Sequence, residues 1–178
     1  MIGGVGPEST IDYYKNIIAM YRERQRDGSY PQFVINSIDL KKGIDFMKAD
    51  NLTAMADYLL EEILKLPRAG AEFGLIAANT PHIVFDDIAP KSPIPLISIV
   101  EATCAHAKAR KLKRLALFGT RYTMQADFYG KCSRAKEWIW LCRSQKTRIT
   151  STRNISPSSC PEYFCPRRAP ACSPLSIA

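Results

Sequence analysis

The feature that most constrains this chain is an alternation of short apolar runs with amphipathic stretches through residues 1–136. Apolar residues at helical spacing predict helices at 11–26, 51–66, 81–88 and 101–112. Short apolar runs predict strands at 33–38, 73–78, 96–100 and 114–118. A helix between two successive strands is the usual crossover connection of parallel strands, whereas antiparallel strands can be joined by a short hairpin. The predicted fold class is therefore α/β, with parallel sheets flanked by helices.

Residues 137–178 differ in composition from the part before them. The whole chain carries a net charge of +8, yet this last segment holds only two acidic residues, Glu137 and Glu162, and four of the six cysteines. The first part contains many residues of both charges, with a net of +4, and two isolated cysteines, Cys104 and Cys132, which we expect to be buried thiols. The two parts are different kinds of sequence.

Several classes of protein are disfavoured by what the sequence lacks. No apolar stretch reaches the roughly 18 residues of a membrane span, and the start shows no signal peptide, so we expect a cytoplasmic protein without membrane contact. The late cysteines do not have the paired spacing of a zinc site, so no metal is expected. The basic stretch 143–153 has no interleaved aromatic residues, so nucleic acid is not expected as a partner.

Three polar segments sit where strands of such a sheet end: 79–82 and 119–123 follow predicted strands, and 3–10 stands at the start of the chain before the first predicted helix. The ligand crevice of an open parallel sheet lies at the carboxyl ends of its strands, so the three could converge on one site. The first is no phosphate loop, because no Gly-Lys-Ser/Thr follows it, and Ser9 stands where the dinucleotide motif has its third glycine. Each segment could alone be a tight turn or a helix cap. Together they indicate a site for a small carboxylate.

Three long motifs resemble the aspartate/glutamate racemase family, whose members work without pyridoxal phosphate. They are GGVGPESTIDYY near the start, RAGAEFGLIAANTPH at 68–82 and LALFGTRYTMQADFY at 115–129. The resemblance implies two pseudo-symmetric α/β domains, a homodimer, a small acidic amino acid as ligand and no cofactor. It places the first domain at 1–113 with its first strand clipped, and the start of an incomplete second domain at 114–136.

The same resemblance implies which residues serve the site. Two thiols normally move the α-proton, one from each domain, but the first of these positions is Ala78 here and no late cysteine matches the second. No catalytic residue is therefore intact. His82 is a weak candidate for proton transfer; the alternative is that it caps a helix or orients the loop. The positions that match the family's substrate-binding residues are Val5, Asn79, Thr80, Thr120 and Thr123.

The expected function is therefore that of an amino-acid racemase acting on aspartate or glutamate-like substrates by cofactor-independent α-proton transfer. Without its thiols the chain as given is expected to be inactive. One alternative is a non-catalytic protein that binds a small carboxylate or amino acid, and another is a related isomerase or decarboxylase of the same superfamily.

We interpret residues 137–178 as an aberrant, unstructured tail translated out of frame. Loss of one adenine from an AAA codon at Lys136 would account for it. Read in the other frame, the following codons are compatible with a strand-like MDLVVP and an acidic helix start, which are similar to what the family carries there.

Overall fold

The computed structural model describes residues 1–132 and a strand at 139–142. The strands are β1 (Ile2–Gly3), β2 (Asn36–Ser37), β3 (Gly74–Leu75), β4 (Leu96–Ile97), β5 (Arg114–Leu117) and β6 (Ile139–Cys142). The helices are α1 (Pro7–Arg24), α2 (Leu40–Lys48), α3 (Leu52–Ile63), α4 (Lys65–Arg68), α5 (Phe85–Ile88), α6 (Ile99–Ala109), α7 (Arg121–Gln125) and α8 (Phe128–Cys132), with 3₁₀ turns at Thr80–Val84 and Ala89–Lys91.

The strands pair in parallel: β1 with β2, β3 with β4, and β5 with β6. A further parallel bridge between Ile2 and Ile76 connects the first two pairs, and the Ala77 N–H donates to the Ile2 carbonyl at 2.8 Å. Helices follow the strands along the chain, as crossover connections require. The predicted α/β class is thereby confirmed.

The helix starts follow the local chemistry of their caps. The Ser98 hydroxyl accepts from the Glu101 N–H at 3.2 Å at the start of α6, so β4 ends three residues earlier than the apolar run 96–100 predicts. The helix α2 was not predicted. Gly43 in its middle weakens helical propensity, but the Asp39 carboxylate accepts from the Lys41 N–H at 2.8 Å and caps it.

The main core lies between the first strands and the helices that cover them. The largest of its fully buried side chains are those of Ile2, Met55, Ile63, Leu66, Ile76, Val84 and Ile88. A second, smaller cluster contains Val100, Cys104, Leu117 and Tyr129. This second cluster holds β5, α6 and α8 together, next to the polar loops that follow the strands.

Two expectations from the sequence need correction. Residues 137–178 were expected to be unstructured, yet Ile139–Cys142 forms β6 and pairs with β5 over four residues. The reason is that its apolar sequence, with the β-branched Ile139 and the aromatic Trp140, suits a strand, and a strand edge such as that of β5 is a template for pairing. Cys104 was expected to be a buried thiol; it is buried, but it is disulfide-bonded. The rest of the segment after residue 142 and the proposed domain limits stay predictions.

In the described part of the chain, no helix is both long and apolar enough to cross a bilayer.

Candidate active site

The three polar segments that follow the strands meet around one cleft of about 270 Å³. Its lining residues come from the glycine loop and start of α1, the segment after β3, the first residue of α6, and the loop after β5 with α7: Val5, Ser9, Tyr13, Ala77, Ala78, Asn79, Thr80, Ile99, Gly119, Thr120 and Thr123. The volume suits a molecule of amino-acid size, since pockets for drug-sized ligands begin at roughly 300 Å³.

The first wall of the cleft is the glycine loop with the start of α1. Gly4 adopts φ +81°, and a Cβ there would lie 2.5 Å from the Ile38 carbonyl oxygen, so only glycine lets this loop pass so close to β2. The Ser9 hydroxyl lies 2.6 Å from the Ala77 carbonyl oxygen and 2.8 Å from that of Gly6. These contacts hold the first turn of α1 against the end of β3.

The second wall is the Asn79–Thr80 pair after β3. The Tyr129 hydroxyl, on α8, donates to Asn79 Oδ1 at 2.5 Å. This contact uses the amide oxygen, and no described residue accepts a hydrogen bond from the amide nitrogen, so that nitrogen is available to donate to a ligand. Asn79 is therefore oriented by a residue fifty positions later in the chain.

Three threonine hydroxyls form a closed triangle at the third wall. The distances are 2.8 Å for Thr80–Thr120, 3.0 Å for Thr80–Thr123 and 3.2 Å for Thr120–Thr123. Thr123 is only 1% exposed, and its N–H donates to the Thr120 hydroxyl at 3.2 Å to cap α7. The triangle joins the turn after β3 to the loop after β5.

His82 does not line the cleft, and its two ring nitrogens bond to the backbone. Nδ1 lies 3.0 Å from the Ala78 carbonyl oxygen, and Nε2 accepts from the Ile99 N–H at 3.2 Å. A carbonyl can only accept and an amide N–H can only donate, so the ring is neutral with its proton on Nδ1. Burial lowers the pKa of His82, which favours the same form. This arrangement orients the Ala78 loop and leaves no free nitrogen for a substrate.

The chemistry of the lining is neutral. Among the described lining residues there is no Lys, Arg, His, Asp, Glu or Cys, and the only ionisable side chain is that of Tyr13. Ala78 presents a methyl group where the resemblance implies a thiol. Nor do three His, Cys, Asp or Glu side chains come together as a possible metal site in the described part.

All five residues expected to bind substrate line the cleft, and so does Ala78; His82 lies behind it. The sequence reasoning did not single out Ser9, Tyr13 or Ile99. Ser9 and Tyr13 could have been found, because positions four apart on a helix share one face and Ser9 belongs to the glycine motif. Ile99 could not, because it lies inside the apolar run 96–100 and carries no polar side chain; the structure places it at the start of α6, where its N–H donates to His82 Nε2.

Comparison with known proteins agrees with these observations. The Asp/Glu/Hydantoin racemase family model matches residues 2–150, a range that extends past Lys136. The broad specificity amino-acid racemase RacX of Bacillus subtilis is 25% identical over 134 residues, which are 74% of this chain and 58% of that protein.

Solved structures give the same result. An aspartate racemase homologue from Pyrococcus horikoshii superimposes with a TM-score of 0.69 at 37% identity, over 81% of this chain and 63% of that one. The aspartate racemase of Picrophilus torridus shares the fold, with a TM-score of 0.66 at 21% identity over 79% of this chain and 59% of its own. The chain thus spans about three fifths of the length of these relatives. From the match over residues 2–150, the chain belongs to the Asp/Glu/Hydantoin racemase family.

Proposed function

We propose that the cleft binds a small acidic amino acid such as aspartate, and that it is one half of a cofactor-independent racemase site. The observation that carries this proposal is the convergence of residues 5, 79–80 and 119–123 on one cleft of amino-acid size. The Asn79 amide supplies a neutral hydrogen-bond donor of the kind that would hold a carboxylate and stabilise charge developing at the α-carbon.

We further propose that the chain as given binds this ligand without racemising it. Racemisation requires a base on one face of the α-carbon and an acid on the other. A methyl group at Ala78 cannot carry a proton, and both His82 nitrogens are bonded to the backbone. We also propose that the chain is cytoplasmic, from the lack of a signal peptide or membrane span in its sequence, and that it forms a homodimer, as the family resemblance implies; a sizing measurement checks the assembly.

The second candidate function is a binder of small carboxylates that performs no proton transfer at all. Ala78 favours this function specifically, because it removes the first proton carrier independently of everything after Lys136. The two functions predict different results for a cysteine at position 78: in a racemase site its thiol would exchange the α-proton of the ligand, and in a pure binding site it would not.

The test compares the unaltered chain with Ala78→Cys and, as a matched control, Ala78→Ser. Each protein is incubated with D- or L-aspartate in deuterium oxide, and α-deuterium incorporation is measured beside chiral analysis. The racemase proposal expects Ala78→Cys to raise wash-in by roughly 10²-fold or more, since a positioned acid or base contributes that much. The serine control should not, because its hydroxyl is a weak base without an activator.

A pure binding function is indicated instead if Ala78→Cys binds aspartate but exchanges no α-proton. Rapid racemisation by the unaltered chain would contradict the proposal that it lacks proton carriers.

A further inference from the structure

The polar groups of the cleft are mostly committed to hydrogen bonds within the protein. Ser9 has one hydroxyl proton, which its two carbonyl neighbours compete for. The triangle of Thr80, Thr120 and Thr123 has three protons, and a closed triangle uses all of them. Any of these hydroxyls must break an internal hydrogen bond before it can donate to a ligand.

Tyr13 differs from these residues. It lies on α1 one turn after Ser9, on the same face of the helix, and lines the cleft with a half-buried side chain. Its hydroxyl makes no hydrogen bond with any residue in the described ranges. Burial raises the pKa of the Tyr13 phenol above its ordinary value, so the group stays protonated at neutral pH. At neutral pH the phenol therefore carries a proton that it can donate in a hydrogen bond, and it is not in the phenolate form that could act as a base.

We infer that Tyr13 determines the specificity of the cleft for a carboxylate, because its phenol donates a hydrogen bond to a carboxylate oxygen of the ligand. This assignment rests on the proposed function and adds to it the residue that recognises the acid group. Tyr13 donates from the α1 wall, while the Asn79 amide nitrogen donates from the β3 wall. Both groups are neutral hydrogen-bond donors. They therefore suit an ionised carboxylate, which only accepts hydrogen bonds.

The neutral lining also limits which anion fits. Two donors to one negative charge form charge-assisted bonds, which are about twice as strong as neutral ones. A phosphate dianion concentrates two negative charges on one group, whereas each carboxylate carries only one, and the described lining offers no cation to offset the larger local charge, which is costly to bury unpaired. A carboxylate is thus the anion that this donor set matches.

The experiment measures dissociation constants by calorimetry for two ligands of nearly equal shape, succinate and succinamide. The proteins are the unaltered chain, Tyr13→Phe and the control Tyr14→Phe. Tyr14 is the next residue on α1, is 47% exposed and packs its ring against Phe33. It does not line the cleft, so its variant tests for general effects of removing a hydroxyl from this helix.

We expect Tyr13→Phe to weaken succinate binding roughly tenfold or more, the usual effect of losing a hydrogen bond to a charged group. Succinamide binding should change by no more than about threefold, since a bond between neutral groups is weaker. Tyr14→Phe should bind both ligands as the unaltered chain does.

Two results would overturn the assignment. Unchanged succinate binding by Tyr13→Phe would show that the phenol makes no bond to the acid group. Equal losses for succinate and succinamide would show that Tyr13 acts by packing. If the unaltered chain bound neither succinate nor aspartate, the proposed function itself would fail, and this outcome is distinct from the other two.

Discussion

The side-chain hydroxyls of Thr80 and Thr120 lie 2.8 Å apart, although forty residues separate them in the chain. Their contact connects the turn after β3 to the loop after β5, and so closes one side of the cleft. Because the bond joins two segments that are distant in the chain, it stabilises the folded state and also fixes the relative position of two walls of the cleft. The strength of this connection can be measured.

Replacing Thr120 by valine should lower the free energy of unfolding by about 1–2 kcal/mol, because it removes the hydroxyl that caps α7 and completes the triangle. Valine preserves the shape of the side chain. The control is Thr53→Val, an exposed position on α3 with the same chemical change. Urea unfolding of both variants measures the difference, and equal losses would show that the triangle adds nothing.

Stability should depend on pH through His82. In the unfolded chain its pKa is about 6.5, and burial lowers it in the folded state. Between the two values the unfolded chain binds a proton that the folded chain does not. The free energy of unfolding therefore rises with pH through this window and falls as the solution is acidified below about pH 6.5.

The His82→Gln variant tests this relationship. It should be less stable at neutral pH by about 2 kcal/mol, because at least one backbone hydrogen bond and the contact with Phe85 are lost. Its stability should also fall less between neutral pH and pH 5. The exposed His106→Gln serves as the control for the histidine-to-glutamine change itself. A slope that His82→Gln leaves unchanged would refute the assignment.

Two glycines with nearly the same φ angle allow the energetic cost of a steric clash to be measured separately from that of backbone strain. Gly4 has φ +81° and Gly28 has φ +83°, but a Cβ meets the Ile38 carbonyl oxygen at 2.5 Å only at Gly4. Gly28→Ala should cost about 1 kcal/mol, the penalty of a left-handed residue. Gly4→Ala should cost at least about 2 kcal/mol more, because the backbone must shift. Thermal or urea unfolding checks both, and similar losses would contradict the close approach.

The out-of-frame interpretation of residues 137–178 is tested by sequencing the gene. An independent reading of the gene around codon 136 should show one more adenine than the codons for this chain contain. If the reading returns the present frame, the segment after Lys136 is the natural sequence. In that case the pairing of β6 with β5 is native and the out-of-frame interpretation is wrong.

Much of the fold followed from local patterns. The apolar runs around Gly74–Leu75 and Arg114–Leu117 and the helical spacing in Leu52–Ile63 predicted elements that the structure contains. The sequence also predicted that polar segments after the strands would meet, because parallel strands end at one edge of a sheet. These features depend on residues close together in the chain, so periodicity and spacing could reveal them. The helix α2 was not predicted, because Gly43 interrupts its helical pattern of apolar residues.

Only the tertiary structure decided what each polar group does in the cleft. Sequence left His82 open as a proton carrier; the approach of the Ile99 N–H, seventeen residues later, fixes its neutral form. The sequence predicted the threonines as hydrogen-bond donors to a ligand, but their hydroxyls bond to one another. Among the residues that the structure describes, none forms a hydrogen bond with the Tyr13 hydroxyl. Hydrogen-bond partners and burial depend on which distant segments pack together. A residue's available chemistry is set by those neighbours, and spacing along the chain does not encode them.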